Sequence, residues 1–478
     1  MILFIWRVTI VIITTIGGRI LGRAEIKTRT KELMRISLPM AIEHVSVSVM
    51  GMVSTMLISY VSEAATSALG MVDSITHLIL ALFAALTTGG TIVVAQYIGR
   101  DDRRSAKRAG GQAVMLSVVF SLVMFVVILV FRDSILNALF GNAEQDVMDA
   151  ARTFLTIINF SYPVVAVTLT MFGLIRGAGD TFAPMIISVI MNVINLILGF
   201  ILIQGLDLGF VTIPSFGIYG AAWSLVAAKV FGLLASTWYI VKRARGIRLN
   251  KIKYFLPDFK RQKAILRFGL PTSFESGLFQ AGRLITAVII VSMSTAAIAT
   301  NTIGFSIMNF VNVPGMAFST GAMILIGQRI GRGKEDDVVR TSLFSMVVCG
   351  IFFAALGVVL IIFRNPIFAL FNPSPETMEY LPIVFVTYIV LAPFLWPSSF
   401  ALPAALRATG DVVYPMVVSI STMILVRLLF AYILGIVFGM GIIGVWVAMY
   451  LDWVARSAFF YPRLLRGKWK GKAVTSEE

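Results

Sequence analysis

The chain has 478 residues, 58% of them hydrophobic and 13% charged, with a mean hydropathy of +0.90. A water-soluble protein carries about 45–50% apolar residues, so this composition excludes a chain whose main solvent is water. The net charge of +16 raises nucleic acid as a partner, and the placement of the positive residues excludes it.

A hydrocarbon core of ~30 Å is crossed by roughly 20 apolar residues in a helix. The first sixteen residues are apolar except for Arg7, Thr9, Thr14 and Thr15. They are short for a comfortable span and lack a small-residue cleavage site near Arg19 to Glu25, which favours an interfacial helix over a removed signal peptide. Residues 1–35 are therefore an N-terminal segment, the role of 1–21 left open. Twelve spans follow, at 36–60, 68–99, 112–131, 154–175, 181–204 and 217–241, then 268–292, 296–328, 341–363, 380–406, 412–434 and 441–462. The runs are continuously apolar rather than alternating over about ten residues, so they are helices and not barrel strands. The expected fold is all-α and integral to the membrane.

Segment 19–35, the loops after spans 2, 4, 6, 8 and 10, and the tail after Tyr461 hold 32 of the 40 Lys and Arg residues. The opposite loops hold Arg132, Arg152 and Arg364 against eight acids. By the positive-inside rule both termini face the cytoplasm. Linker 242–267 carries ten basic residues, read as a solvated cytoplasmic loop near anionic lipid.

The sequence also repeats itself. Ile36 to His44 matches Phe268 to Ser276, pairing Pro39 with Pro271 and Glu43 with Glu275 at an offset of 232. Ile98-Gly99-Arg100 matches Ile330-Gly331-Arg332 at the same offset, and Arg176 to Met185 matches Arg407 to Met416 at 231. Gly217 and Gly220 match Gly441 and Gly444 at 224. Six spans per repeat is an even number, so the halves are parallel repeats about an axis along the membrane normal. The expected division is an N-lobe at 36–241, the linker at 242–267, a C-lobe at 268–465 and a cytoplasmic tail at 466–478.

The Leu-Pro openings of spans 1 and 7, Gly327-Gln-Arg-Ile-Gly331 with its counterpart Ala95 to Gly99, and the paired Arg-x-x-Gly-Asp turns at 176 and 407 resemble the MATE (multidrug and toxic compound extrusion) family. Gly70-Met-Val-Asp-Ser74 and the basic run Arg103 to Arg108 are similar to its YeeO-type bacterial branch. The resemblance covers about residues 30–465. It implies a V-shaped MATE/MOP-like pair of six-helix bundles in the bacterial inner membrane. Such a protein exports amphipathic, cationic or metabolite-like organic molecules by alternating access driven by H⁺ or Na⁺ entry. Many members carry acids where this chain has Ser54 and Gly199, and sodium-linked ones where it has Phe279 and Trp396, so the family's coupling site is not intact here.

Ionisable groups inside spans cost a few kcal/mol each at the bilayer centre, which makes them functional candidates. Glu43 stands eleven residues from Ser54, on one helical face ~16 Å away. It is read either as a carboxylate that loads a cation or proton, or as one that snorkels to the edge. Glu275 is its repeat mate and shares a face with Arg283 eight residues on. That spacing rules out a direct pair, so a partner on another helix is required, and the two glutamates can equally be locks at the lobe ends. Asp73 has Phe305 as its repeat counterpart and His77 one turn away as a possible hydrogen-bond partner. Asn192 and Asn195 offer carbonyls for Na⁺ or substrate, or interhelical hydrogen bonds.

Asp452 and Arg456, at i,i+4, read as a structural ion pair. Asp180 and Asp411 stand where N-caps belong, with Pro184 and Pro415 in the first turn. Pro163, Pro314, Pro393 and Pro397 interrupt spans, as is tolerated where backbone lines a cavity.

Two His and the single Cys349 argue against a zinc site, and no cofactor is expected. The chain shows neither a clustered catalytic set nor a Gly-x-x-x-x-Gly-Lys-Ser/Thr loop, against an enzyme or an ATP-driven pump. The expected partners are small organic substrates and lipid, with no nucleic acid and no obligate protein partner. A lipid-linked oligosaccharide flippase of the same broad architecture is the alternative.

Overall fold

The computed structural model describes residues 23–59, 61–141, 143–207, 212–244 and 246–474. The expected interfacial segment at 1–21 lies outside them. Among the described residues eleven helices are long and apolar enough to cross a membrane, and a bent pair counted as one span makes twelve. They are α1 (Arg23–Ser59), α2 (Glu63–Gly99), α3 (Arg103–Phe140), α4 (Gln145–Asn159 with Ser161–Gly177, bent by 47°), α5 (Phe182–Gln204) and α6 (Gly217–Lys242). The second six are α7 (Phe259–Val291), α8 (Thr295–Gly331), α9 (Glu335–Ile362), α10 (Pro375–Ala408), α11 (Val413–Val437) and α12 (Gly441–Leu465). A two-residue antiparallel ladder, Leu206–Asp207 with Thr212–Ile213, closes the α5–α6 loop. Several helices run well past their apolar cores, because helical hydrogen bonding continues after the chain leaves the hydrocarbon. α1, for example, begins at Arg23, thirteen residues before the apolar run.

The chain divides into two compact units. The N-terminal unit comprises Ile42–Ile98 and Asp102–Ser273; the C-terminal unit joins residues 23–41 and Gly99–Asp101 to 274–474. The boundaries inside α1 and α7 fall two residues after the Leu-Pro prolines, Pro39 and Pro271.

In the N-terminal unit the core gathers Phe83, Phe154, Tyr162, Leu69 and Val72, with α3 presenting an apolar stripe of Val119, Leu122, Val123 and Val130 outward. Such a stripe is stable only against lipid. α5 and α6 pack closely because Gly220 bears no side chain. A Cβ there would lie 2.3 Å from the Leu202 carbonyl oxygen, and its repeat mate Gly444 meets Leu434 in the same way. Small residues permit this backbone approach between membrane helices.

The linker is not a freely solvated loop. Gln112 of α3, 1% exposed, donates to the carbonyls of Tyr254 (3.1 Å) and Leu256 (2.7 Å). Its carbonyl accepts from the Asp258 N–H (3.0 Å) and from Gln262 (2.9 Å). Ile247 and Leu249 of the linker are also buried. Partial burial pushes the Asp258 carboxyl up, but the Arg261 N–H and guanidinium outweigh burial and hold it below the ordinary range.

Gln112→Leu removes four hydrogen bonds and strands buried linker groups, at about 1–3 kcal/mol per unsatisfied group. Trypsin should then cut the Lys251–Lys263 stretch at least about tenfold faster than in wild type, a factor that corresponds to ~1.4 kcal/mol of local opening. Unchanged cleavage would refute the anchoring role.

In the C-terminal unit the core is aromatic. Trp396 stacks on Phe353 and Phe400 (centroids 5.1 and 5.0 Å), and Trp453 packs edge-on to Tyr388, Phe400 and Tyr450. The opening turns of α1 belong here. Arg29 pairs with Asp337 (2.5 Å), Arg329 with Glu32 (2.9 Å) and Asp337 (2.7 Å), while Leu33, Ile36 and Met40 join the core.

Candidate transport site

One local device appears in both units. The turns that follow α4 and α10 place Gly179 and Gly410 at φ values of +95° and +98°, a conformation that favours glycine. In each turn two hydrogen bonds close a Schellman motif: Gly179 N–H to Arg176 O (2.8 Å) with Asp180 N–H to Ile175 O (3.2 Å), and Gly410 N–H to Arg407 O (3.0 Å) with Asp411 N–H to Leu406 O (3.2 Å). The motif fixes the last-turn arginine of each helix. Arg176 thereby reaches Glu43, 6% exposed, and Arg407 donates to both oxygens of Glu275 at 2.9 Å. These are the cross-helix partners that the spacing of Glu275 and Arg283 requires, and each half supplies its own.

The two turn aspartates part company. Asp180 accepts from the Phe182 and Ala183 N–H groups (3.2 Å each) at the start of α5 and from the Tyr239 hydroxyl. Asp411 makes no cap. It accepts from Arg463 (2.7 Å) and Lys472 (2.6 Å), two charge-assisted bonds that outcompete the neutral N–H groups of α11.

Within the N-terminal unit, Asn192 donates to Ser46 (2.9 Å) and Asn195 to Ser54 (3.1 Å), while Ser224 donates to the Asn195 carbonyl (3.2 Å). The position where the resemblance implies an acid is thus one end of a neutral chain, Ser54–Asn195–Ser224. Gly199 lies one turn further on. A Cβ there would meet Ser224 Oγ at 3.5 Å and Leu57 at 3.6 Å, ordinary contacts, so crowding at the Cβ does not account for the missing carboxylate.

Asp73 and His77 of α2 are both exposed in the isolated chain, and no hydrogen bond joins them among the described residues. Thr76 shares a 2.9 Å hydrogen bond with Tyr162, and Lys229 donates to Ser161 at 3.2 Å. Asp73 lies in the electrostatic field of both His77 and Lys229. Of the four carboxylates within the apolar runs, Glu43, Glu275 and Asp452 each have an arginine at salt-bridge distance; Asp73 has none among the described residues.

In the C-terminal unit, Asp452 and Arg456 form an i,i+4 pair at 2.9 Å, 0% and 2% exposed. Arg283 lies over the Phe305 ring at 5.2 Å. Of the positions where sodium-linked relatives carry acids, Phe279 faces guanidinium groups and Trp396 is core. A cavity of about 100 Å³ opens beside Glu275, Phe279, Gly282, Ser419, Met423 and Leu428. Among the described residues no three of His, Cys, Asp or Glu gather to hold a metal ion. Sequence reasoning passed over Arg176 and Arg407 as site residues. The signal was present in the repeat, which duplicates glutamate and arginine together.

The MatE family model matches the chain twice, at residues 39–201 and at 271–433, 232 residues apart like the internal repeat. The chain belongs to the MatE family. It is 28% identical over 461 residues to the "Probable multidrug resistance protein NorM" of Thermotoga maritima, covering 96% of this chain and 97% of that one. It is 26% identical to the "Uncharacterized transporter YisQ" of Bacillus subtilis (93% and 96% covered) and 25% identical to the "Multidrug resistance protein MdtK" of Yersinia enterocolitica (87% and 91%). The fold is shared with a MOP superfamily transporter from Pyrococcus furiosus (TM-score 0.83, 21% identity, 93% and 96% covered) and with a MATE crystal structure in the bent conformation (0.82, 20%, 94% and 97%). The MatE chain described here is a multi-pass membrane protein of a transporter family.

Proposed function

We propose that this MatE protein is a secondary active exporter of small organic molecules, amphipathic, cationic or metabolite-like, in the bacterial inner membrane, with both termini cytoplasmic. The observation that carries the reading is the double family match at the repeat spacing, over a chain whose relatives are named as multidrug resistance proteins. Those names weigh for small molecules over a lipid-linked oligosaccharide. Transport proceeds by alternating access of the two halves, 36–241 and 268–465, coupled to H⁺ or Na⁺ entry.

Coupling needs a group whose charge changes with exposure. Glu43 and Glu275 are each held by an arginine, which leaves Asp73 as the carboxylate most available to a proton or Na⁺, with Lys229 nearby to sense its charge. Asn192, Asn195 and Arg283 supply polar contacts for substrate. Asp180, Asp411, Asp452 and Arg456 brace the helix ends and the C-terminal core.

The test is dye and metabolite transport by the purified chain in proteoliposomes, under an imposed pH or Na⁺ gradient and without ATP. Gradient-dependent transport of at least one compound is expected; its absence across a broad panel under both gradients would count against the reading. Topology is tested separately with cysteines at Glu144 and Gly467, the native Cys349 being buried. A membrane-impermeant reagent should modify Gly467→Cys only from the cytoplasm and Glu144→Cys only from outside. Modification of both from one side would refute the assigned orientation.

A further inference from the structure

The C-terminal unit carries more positive charge inside its spans than it neutralises. Arg427, in a π-helical turn of α11, is 4% exposed, and its guanidinium makes no hydrogen bond or ion pair among the described residues. It lies 5.6 Å from the centre of the Phe279 ring, and Arg456 lies 5.5 Å from the same ring and 5.8 Å from that of Phe400. Arg283 stands one turn along α7 from Phe279, and Arg427 feels the charges of Asp452, Arg456 and Arg283 in turn. The one hydrogen bond of Arg283 among the described residues is a 3.4 Å contact to Gln280. Against three guanidiniums stands one carboxylate, Asp452, already engaged by Arg456.

Rings attract cations but do not neutralise them. An arginine buried among apolar groups without a counter-charge is costly, and its donors remain unspent. The cluster is also confined to one half. Arg283 stands opposite Gly51 at an offset of 232 and Arg427 opposite Leu196 at 231, while Asp452 and Arg456 stand opposite Ala228 and Gly232 at 224. A purely architectural role would be expected in both repeats.

We propose that Arg427 and Arg283, with Arg456 behind them, form a binding site for an organic anion. A carboxylate or phosphate of the ligand accepts from the guanidinium donors, and its aromatic or apolar body lies against Phe279, Phe305 and Phe400. This rests on the exporter reading and narrows its substrate class. The guanidinium fork suits a carboxylate or phosphate group, which it can engage through two parallel hydrogen bonds. Phosphate and carboxylate chemistry also occurs in lipid headgroups, and the experiment separates the two sources.

Binding of carboxyfluorescein to the purified full chain in phosphatidylcholine nanodiscs is measured by anisotropy, with phenylphosphate and benzoate as competitors and rhodamine 6G as a cationic control. Saturable binding competed by phenylphosphate is expected. It should weaken at least tenfold in both Arg427→Gln and Arg283→Gln, and Arg427→Lys should retain more affinity than Arg427→Gln. Without ligand, Arg427→Gln should unfold at the same temperature as wild type or higher, because it removes an uncompensated charge; a merely structural arginine would lower it.

Undiminished carboxyfluorescein binding in the Arg283→Gln/Arg427→Gln double variant would overturn the proposal. So would competition by phosphatidylglycerol but not by phenylphosphate, which would place a lipid headgroup in the site. Gradient-driven rhodamine 6G export with no anion binding would sink this inference and leave the exporter reading standing. Arginine-dependent binding with no transport of any compound would do the reverse.

Discussion

Replacing Arg456 by Met should destabilise the protein by about 3–5 kcal/mol, because it leaves Asp452 as a buried carboxylate with no counter-charge on its own helix. Asp452 is fully buried, and one of its oxygens already lacks a hydrogen-bond partner. Its one ion pair among the described residues is the 2.9 Å contact with Arg456 Nε. Arg456 also donates to the Ser419 carbonyl at 3.3 Å, tying α12 to α11. Substituting both partners, Asp452→Leu with Arg456→Met, should recover most of the loss, since a buried pair exchanged for apolar side chains of similar volume is often neutral. Thermal unfolding followed by tryptophan fluorescence reads both variants. A single Arg456→Met variant as stable as wild type would show that the pair contributes nothing to the C-terminal unit.

The second large effect concerns transport rather than stability. Asp73→Asn keeps the size of the side chain and its capacity for hydrogen bonds but removes its charge. Gradient-driven export should fall at least about tenfold, a change of ~1.4 kcal/mol or more in the driving step, while energy-independent exchange of substrate across the membrane persists. Glu43→Gln and Glu275→Gln should behave differently. Each leaves an arginine, Arg176 or Arg407, without its anion, so the principal loss falls on stability. Wild-type gradient-driven rates in Asp73→Asn, with expression matched, would remove Asp73 from the coupling mechanism and direct attention to Asn192 and Asn195.

Much of the architecture was legible because lipid imposes a simple rule: a spanning helix needs a long apolar run, and each of the twelve runs became one. The bend in α4 at Phe160 falls three residues before Pro163, and the π-helical stretch of α10 begins at Pro397. Pro314, by contrast, sits within an unbroken α8. The polar network was less legible. Glu43 and Arg176 are separated by 133 residues, and an arginine in a short loop reads as topology rather than as a partner. The asymmetry between Asp180 and Asp411 was hidden for a different reason. The two turns share a motif, but only the second meets the cations of α12 and the tail. Asp73 and His77 satisfy the i,i+4 spacing without bonding, since that spacing permits contact and does not dictate rotamers. The arginine cluster was visible residue by residue in α7, α11 and α12. Its convergence on Phe279 depends on helix packing, which no single segment encodes.

The central claim is that movement of substrate and movement of an ion are one event. Proteoliposomes carrying the purified chain are given a steep outward substrate gradient and no ion gradient, and internal pH and Na⁺ are recorded. The account predicts that substrate efflux drives H⁺ or Na⁺ inward, that the ion flux stops when substrate is omitted, and that Asp73→Asn abolishes it. Substrate efflux with neither ion moving, or an ion leak of equal size without substrate, would contradict it.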